Sequence, residues 1–442
     1  MPDTNRKKIL VLSDHPLVPS GVGIQTKYLI EGLLKTGKYK FVCMGGAIQH
    51  PDKRIQHVNP EEFGDKNWII YPVDGHGNKD LLRNFLRQEK PDAVLLVTDP
   101  RFFVWVWEME DEIRSVCPLL YWHVWDNDPS PDFNEIYYDS TDMIGCISLK
   151  TYGLLQDLKY PERKFGYVPH SLPAELFKPL PREDVKKFKQ ETYGPHKDKK
   201  FIVMWNNRNA RRKQTGDVIA TFAKFAKKIG RDNTSLLMHT SPTDEEGQNI
   251  MAVARKYDVE DCLIISDKRV QSEAMNMYYN SADIVINIAS NEGFGLSALE
   301  SLYTGTPMIV HMTGGLQYQM GDWYDKIKDF SDQDKLTAGA KKAWVSKTAR
   351  WWGVPVFTAS RSCTGSQVIP YIYDDRACHD DIVKALMKLY EMGDARRREI
   401  GAEAREWALQ TFGLQQMTDK WDTLIEMAFD DFEPVSMRRA VI

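Results

Sequence analysis

Short apolar runs separated by amphipathic stretches dominate the chain. In its first part, runs near residues 8–12, 40–44, 92–98, 117–122, 143–147 and 165–168 are apolar almost without a break. The pieces between them, near 22–36, 78–89, 101–115, 131–140 and 149–158, set their apolar residues at helical spacing. A strand that is apolar on both sides needs cover on both sides, which a parallel sheet flanked by helices provides. The rhythm breaks at Pro169, Pro173, Pro179 and Pro181, ahead of a charged helix over 183–191. Each proline fixes φ and removes a donor, so this stretch reads as an extended connector. A second series follows, with strands near 201–205, 234–239, 262–266, 283–288 and 307–311. Its helices lie near 216–229, 245–257, 271–281 and 296–304, and closing helices near 380–392, 395–410 and 414–429.

This pattern predicts an α/β protein of two doubly wound, Rossmann-like domains, 1–180 and 181–412, with 413–442 as a C-terminal helix and tail. Ligands of such sheets bind at the carboxyl ends of the strands. Residues 316–367 show no strand–helix rhythm and read as an insertion. They carry Trp323, Trp344, Trp351 and Trp352, and the part from Lys335 to Arg350 is basic with no acidic residue.

Composition narrows the classes. Lys plus Arg is 58 against 62 Asp plus Glu, so a basic coat for nucleic acid is excluded and any polyanion site must be local. No apolar run approaches the ~20 residues that span a bilayer. The polar start, Met1–Lys8, leads into an apolar run (Ile9–Leu12) too short for a signal-peptide core. The six cysteines form no C-x-x-C pair, which argues against a zinc ribbon or disulfide scaffold and for a reducing cytoplasm.

Three clusters could carry chemistry. Ser20-Gly21-Val22-Gly23 follows the first strand and opens a helix, where small residues let an anion approach free N–H groups. A tight turn with a helix cap is the plainer reading of the same residues. The stretch from Trp205 to Lys213 places Arg208, Arg211, Arg212 and Lys213 at a strand's carboxyl end, suited to a diphosphate or to a solvated loop. The third is Ser290-Asn291-Glu292-Gly293-Phe294-Gly295-Leu296, running into a helix that holds Glu300 and ends at Gly305-Thr306-Pro307. Its glycines free the backbone at the helix start for a phosphate. A carboxylate at Glu300, inside the helix, can accept two hydroxyl hydrogen bonds.

In these residues the chain resembles the retaining, GT-B-fold glycosyltransferases of family 4, which are related in design to glycogen synthase. Glu292 and Glu300 match their E-x7-E motif, with Pro307 in the following G-x-P. Arg208 and Lys213 match their R-x4-K pair, Val168 to Pro179 match their linker in outline, and Gly21 and Gly23 match their first-domain turn. The resemblance implies two Rossmann-like domains facing a central cleft, with the C-terminal helix returning to the first. It implies transfer of a hexose or pentose from a nucleotide-diphosphate donor to a hydroxyl acceptor, with retention. Arg208 and Lys213 would neutralise the leaving diphosphate, and Gly293, Phe294, Gly295 and Leu296 would bind phosphate and sugar. Glu300 would hold the ribose and Glu292 the donor sugar, with His123 beside the sugar. With those cations no metal is expected. Asp126-Asn127-Asp128 is a formal D-x-D and keeps a divalent ion as an alternative. A nucleotide-sugar epimerase, a non-enzymatic nucleotide-sugar-binding regulator and a glycosyltransferase acting on a hydroxylated DNA base are further alternatives. The last draws on the Lys, Arg and Trp residues of 335–352. Otherwise the acceptor is a carbohydrate, lipid or small molecule.

Overall fold

The computed structural model describes residues 6–47 and 52–436. Met1–Asn5 of the polar start and 437–442 of the tail therefore lie outside the described residues. The chain divides into two compact units. The first comprises 1–125, 130–171 and 414–442, and the second 126–129 and 172–413.

The first unit is an α/β layer around one eight-stranded sheet. Its strands are β1 (Lys7–Asp14), β2 (Tyr39–Gly46), β3 (Gln56–His57), β4 (Trp68–Pro72), β5 (Ala93–Val97), β6 (Leu119–His123), β7 (Met143–Cys146) and β8 (Phe165–Tyr167). They lie in the order β3-β4-β2-β1-β5-β6-β7-β8, parallel except for β3. The centre, Ile9–Leu12 between β2 and β5, is wholly buried, as a two-sided apolar strand requires. Helix α1 (Gly21–Lys35) and the last helix, α6 (Leu414–Asp431), belong to this unit. Helix α6 fits because Gly145 on β7 has no side chain where the Trp421 ring lies. A Cβ there would come within 2.5 Å of that ring. Trp421 then meets Trp122 edge to face at 5.7 Å.

Two expectations for this unit need correction. Strands β3 and β4 were not visible, because one is two residues long and the other alternates with half-buried positions. The helix expected over 101–115 is instead a 3-10 turn, Pro100–Phe103, and two short helices, Val104–Trp107 and Glu110–Arg114. Phe103 and Met109, with φ near −120° and ψ near +20°, break the helical backbone between them.

The second unit holds a six-stranded parallel sheet, ordered β11-β10-β9-β12-β13-β14. These strands are β9 (Phe201–Asn206), β10 (Thr234–His239), β11 (Leu263–Ser266), β12 (Ile284–Asn287), β13 (Met308–His311) and β14 (Gly353–Val356). Helices α2 (Thr215–Ile229), α3 (Ser272–Ser281) and α4 (Leu296–Thr304) alternate with them. The expected insertion at 316–367 contributes a strand to the sheet, although its sequence shows no strand–helix rhythm. Helix α5 (Gln333–Ser346) lies between β13 and β14, and β14 pairs in parallel with β13 from Met308↔Gly353 to His311↔Val356. Its four residues include Pro355, which a strand tolerates at a sheet edge. The antiparallel hairpin β15 (Thr358–Thr364) and β16 (Ile372–Ala377) forms a two-stranded sheet of its own. Two tryptophans of 316–367 are buried: Trp352 is 0% exposed and lies 5.4 Å from the Trp407 ring, and Trp323 is 6% exposed, while Trp344 and Trp351 are half-buried.

Candidate functional site

The loops leaving β9, β12 and β13 meet at the carboxyl end of the second sheet. After β12 the chain turns through Glu292-Gly293-Phe294-Gly295 into α4. Gly295 is the N-cap, at φ +92°, and no side chain caps the helix. A positive φ of this kind is costly for any residue with a Cβ. Gln319 fixes the direction of the turn, since its Nε2 donates to Phe294 O at 2.5 Å and Gly295 O at 3.2 Å. Across a planar trans peptide the N–H lies opposite the C=O. The amides of Gly295 and Leu296 therefore point away from Gln319, at the positive end of a helix. That is a ready anion-binding arrangement. Gly315 packs under the turn so closely that a Cβ there would lie 2.1 Å from Gly293 O. Phe294 anchors it from the other side, edge to face with Phe412 at 5.5 Å.

The loop after β9 supplies the cations. Arg211–Lys213 form a 3-10 turn ended by Gln214 at φ +55°. The Lys213 Nζ forms an ion pair with Glu292. Arg212 donates to Glu292 Oε2 at 3.1 Å and to Asn291 O at 2.9 Å. Glu292 is 7% exposed. Burial alone pushes its carboxyl up, but the Lys213 and Arg212 charges outweigh that and hold it down at about 2. Arg208 stands apart from this cluster. Its side chain is 59% exposed and makes a fork on Asp244, at 2.7 and 3.1 Å, with Glu246 at 3.3 Å. The structure therefore sets Arg212, and not Arg208, against Glu292. The R-x4-K spacing singled out Arg208, and only the density of cations in the loop hinted at Arg212.

Glu300 lies about a turn and a half inside α4. Its Oε2 accepts from the Tyr279 hydroxyl at 2.5 Å and from Asn206 Nδ2 at 3.2 Å. Asn206 also donates to the Tyr279 oxygen at 2.8 Å. Burial pushes the Glu300 carboxyl up to about 7 despite both bonds. Tyr279 had no signal in the sequence; Asn206, at the end of β9, stood in the cation cluster without a role. A carboxylate titrating near 7 accepts from two hydroxyl groups above that pH, and below it one oxygen carries a proton and the charge that strengthens both bonds is lost. We expect the affinity for a nucleoside diphosphate to fall as pH drops from 8 to 6, approaching tenfold per unit below pH 7. Calorimetry across that range checks it, and in Glu300→Gln the pH dependence should flatten.

In the first unit, α1 begins at Gly21. The Ser20 hydroxyl accepts from Gly23 N at 2.9 Å and donates to Asp14 at 2.6 Å. A Cβ on Gly23 would lie 2.7 Å from His15 O, so the residue serves a close turn as well as a helix start. His123 ends β6 wholly buried, with Nε2 2.8 Å from the Tyr138 hydroxyl and the ring edge to face with Tyr138. Burial pushes its imidazole down to about 3, so it is neutral at physiological pH. Among the described residues, no group of three or more His, Cys, Asp or Glu side chains is arranged to hold a metal ion. No helix among them is long and apolar enough to cross a membrane.

Residues 185–346 match the family model for glycosyl transferases group 1. Trehalose synthase of Pyrococcus horikoshii is 26% identical over 111 residues, which are 24% of this chain and 26% of that protein. The chain thus spans between a quarter and a third of the length of the curated relatives it matches. Over the whole fold it is similar to the sucrose-phosphate synthase of Thermosynechococcus elongatus, with a TM-score of 0.71 at 15% identity, covering 96% of this chain and 100% of that one. It is also similar to Anabaena HepE in complex with UDP and glucose, with a TM-score of 0.66 at 12% identity, covering 95% and 100%. The loops that carry Lys213, Glu292 and Glu300 fall inside the matched segment, and the chain has the GT-B fold of the glycosyltransferases, with a glycosyl transferases group 1 segment at 185–346.

Proposed function

We propose that this chain is a nucleotide-sugar-dependent glycosyltransferase. It moves a hexose or pentose from a nucleotide-diphosphate donor to a hydroxyl acceptor, with retention. The observation that carries this reading is the start of α4. Uncapped amides there lie beside a turn whose Glu292 is clasped by Lys213 and Arg212, and Glu300 sits within the same helix. Cations and a helix N-terminus suit the charge that develops on a leaving diphosphate, and fixed groups of this kind supply much of an enzyme's rate. In this reading Lys213 and Arg212 face the diphosphate. Gly293, Phe294, Gly295 and Leu296 line the phosphate and sugar, Glu300 accepts from the ribose, and Glu292 contacts the donor sugar. Arg208 would have to leave Asp244 to join them.

The test is a panel of nucleotide sugars, read by calorimetry and by product analysis with candidate acceptors. UDP-sugars come first, because HepE is described with UDP and glucose. Release of nucleoside diphosphate only when an acceptor hydroxyl is supplied supports transfer. Isomerised donor without an acceptor would make the chain an epimerase. Two cations and a helix N-terminus leave no need for a divalent ion, so activity should survive excess EDTA. Complete loss that Mn or Mg restores would return the Asp126–Asp128 reading. The acceptor best supported is a carbohydrate, lipid or small molecule. A DNA base loses Trp352 as a stacking surface, since that ring is buried, and keeps the lysines of 335–352 as its support.

A further inference from the structure

The hairpin β15–β16 is a sheet of its own, yet its strand β16 is tied to every loop of the candidate site. Arg361 and Asp375 face each other directly in the antiparallel ladder. Arg361 makes a fork on the Asp375 carboxylate at 2.7 and 3.2 Å, and Asp375 is 2% exposed. The same carboxylate accepts from the Thr313 hydroxyl at 2.7 Å. Thr313 leads into Gly314 and Gly315, and Gly315 N donates to Glu292 O at 2.6 Å. The backbone oxygen of Asp375 accepts from Gln214 Nε2 at 3.0 Å, next to Lys213. Its neighbours complete the set, with Asn291 donating to Tyr373 O at 2.5 Å and Ser290 to Asp374 at 3.2 Å. Strand β16, with the Arg361–Asp375 pair in it, thus touches the loops after β9, β12 and β13 at once, and the paired carboxylate itself holds Thr313.

Resting on the glycosyltransferase reading of this site, we propose that Asp375, held by Arg361, is a positioning residue that keeps these three loops in register and so sets Lys213 and Arg212 against Glu292. The reason is geometric. Lys213 and Glu292 come from different loops, each needing a fixed support, and a two-bond arginine fork fixes a carboxylate's orientation as well as its position. Asp375 touches no reacting group itself. It acts through Thr313 and Gln214.

Three variants of the full chain test this: Asp375→Asn, Thr313→Val and Thr313→Ser. Thr313→Val keeps the shape and leaves the Arg361–Asp375 pair intact but removes the one hydroxyl that joins it to the turn. Thr313→Ser keeps that hydroxyl. Hydrogen exchange is measured without ligand, and turnover with the best donor. Thr313→Val should speed amide exchange in 289–295 and 211–214 and lower kcat roughly tenfold, the scale of one hydrogen bond. Asp375→Asn should lower kcat about 10²-fold, as a misplaced catalytic group does. Thr313→Ser should stay close to wild type in both readouts. Unchanged exchange in those loops for Thr313→Val, or equal losses in Thr313→Val and Thr313→Ser, would overturn the positioning role. Exchange that responds as expected in the variants, with a wild-type chain that transfers no sugar, would instead overturn the functional reading and leave the positioning role standing.

Discussion

Lys213→Ala is expected to lower turnover by roughly 10²–10³, the scale of losing one preorganised contact to developing charge. Arg212→Ala should fall in the same range and Arg208→Ala well short of it. The difference follows from where the three cations sit. Lys213 is buried against Glu292, and Arg212 reaches the same carboxylate at 3.1 Å. Arg208 is mostly exposed and already satisfied by Asp244. A cation in a dry site interacts with a phosphate far more strongly than one in water, which sets Lys213 apart; Arg212, 49% exposed, differs from Arg208 in being held on Glu292 beside the turn. The measurement is kcat for the three variants with one donor, alongside Kd for the bare nucleoside diphosphate. Equal losses for Arg208→Ala and Lys213→Ala would mean that Arg208 leaves Asp244 when the donor binds. Near-normal turnover in both Lys213→Ala and Arg212→Ala would remove this site from the reaction.

How much of this was legible beforehand can be followed residue by residue. Long two-sided apolar strands such as β1 and β5 and the β12–α4 turn announce themselves, because burial on both faces and a glycine N-cap leave direct marks in the sequence. Strand β14 left none. It is short, contains Pro355, and gains its place from pairing with a strand over forty residues earlier, between Met308 and Gly353. The site divides the same way. Glu292 and Glu300 stand at a spacing one helix start explains. The partners that tune them do not, since Tyr279 reaches Glu300 from another helix and Arg212 displaces Arg208 only once the 3-10 turn at Arg211–Lys213 has formed. The hairpin was hidden for a related reason. Arg361 and Asp375 are fourteen residues apart and meet only through the ladder register.

Trp352→Ala should cost ~3–5 kcal/mol of stability, the loss for emptying a buried aromatic site. The interleaving of Trp and Lys over 335–352 suggested a different role, in which these rings stack on nucleic-acid bases. Stacking needs a free ring face, and Trp352 has none, with Trp407 at 5.4 Å and the Arg350 guanidinium over it at 5.5 Å. Trp351 packs edge to face with Trp344, and Lys388 covers the Trp344 ring at 4.1 Å. Arg350 is itself held by Asp322 at 2.7 Å. Trp352 is thus a packing residue, while Trp344 and Trp351 are half-buried against each other. Denaturant unfolding of wild type and Trp352→Ala measures the cost. A gel shift with hydroxymethylated and plain DNA, run with Lys341→Gln, Lys342→Gln and Lys347→Gln combined, tests the other role. Loss of stability with no change in any shift is the expected pair of results. A salt-sensitive shift abolished by the three Gln substitutions, in a variant as stable as wild type, would make this face a polyanion surface built on lysine charge alone.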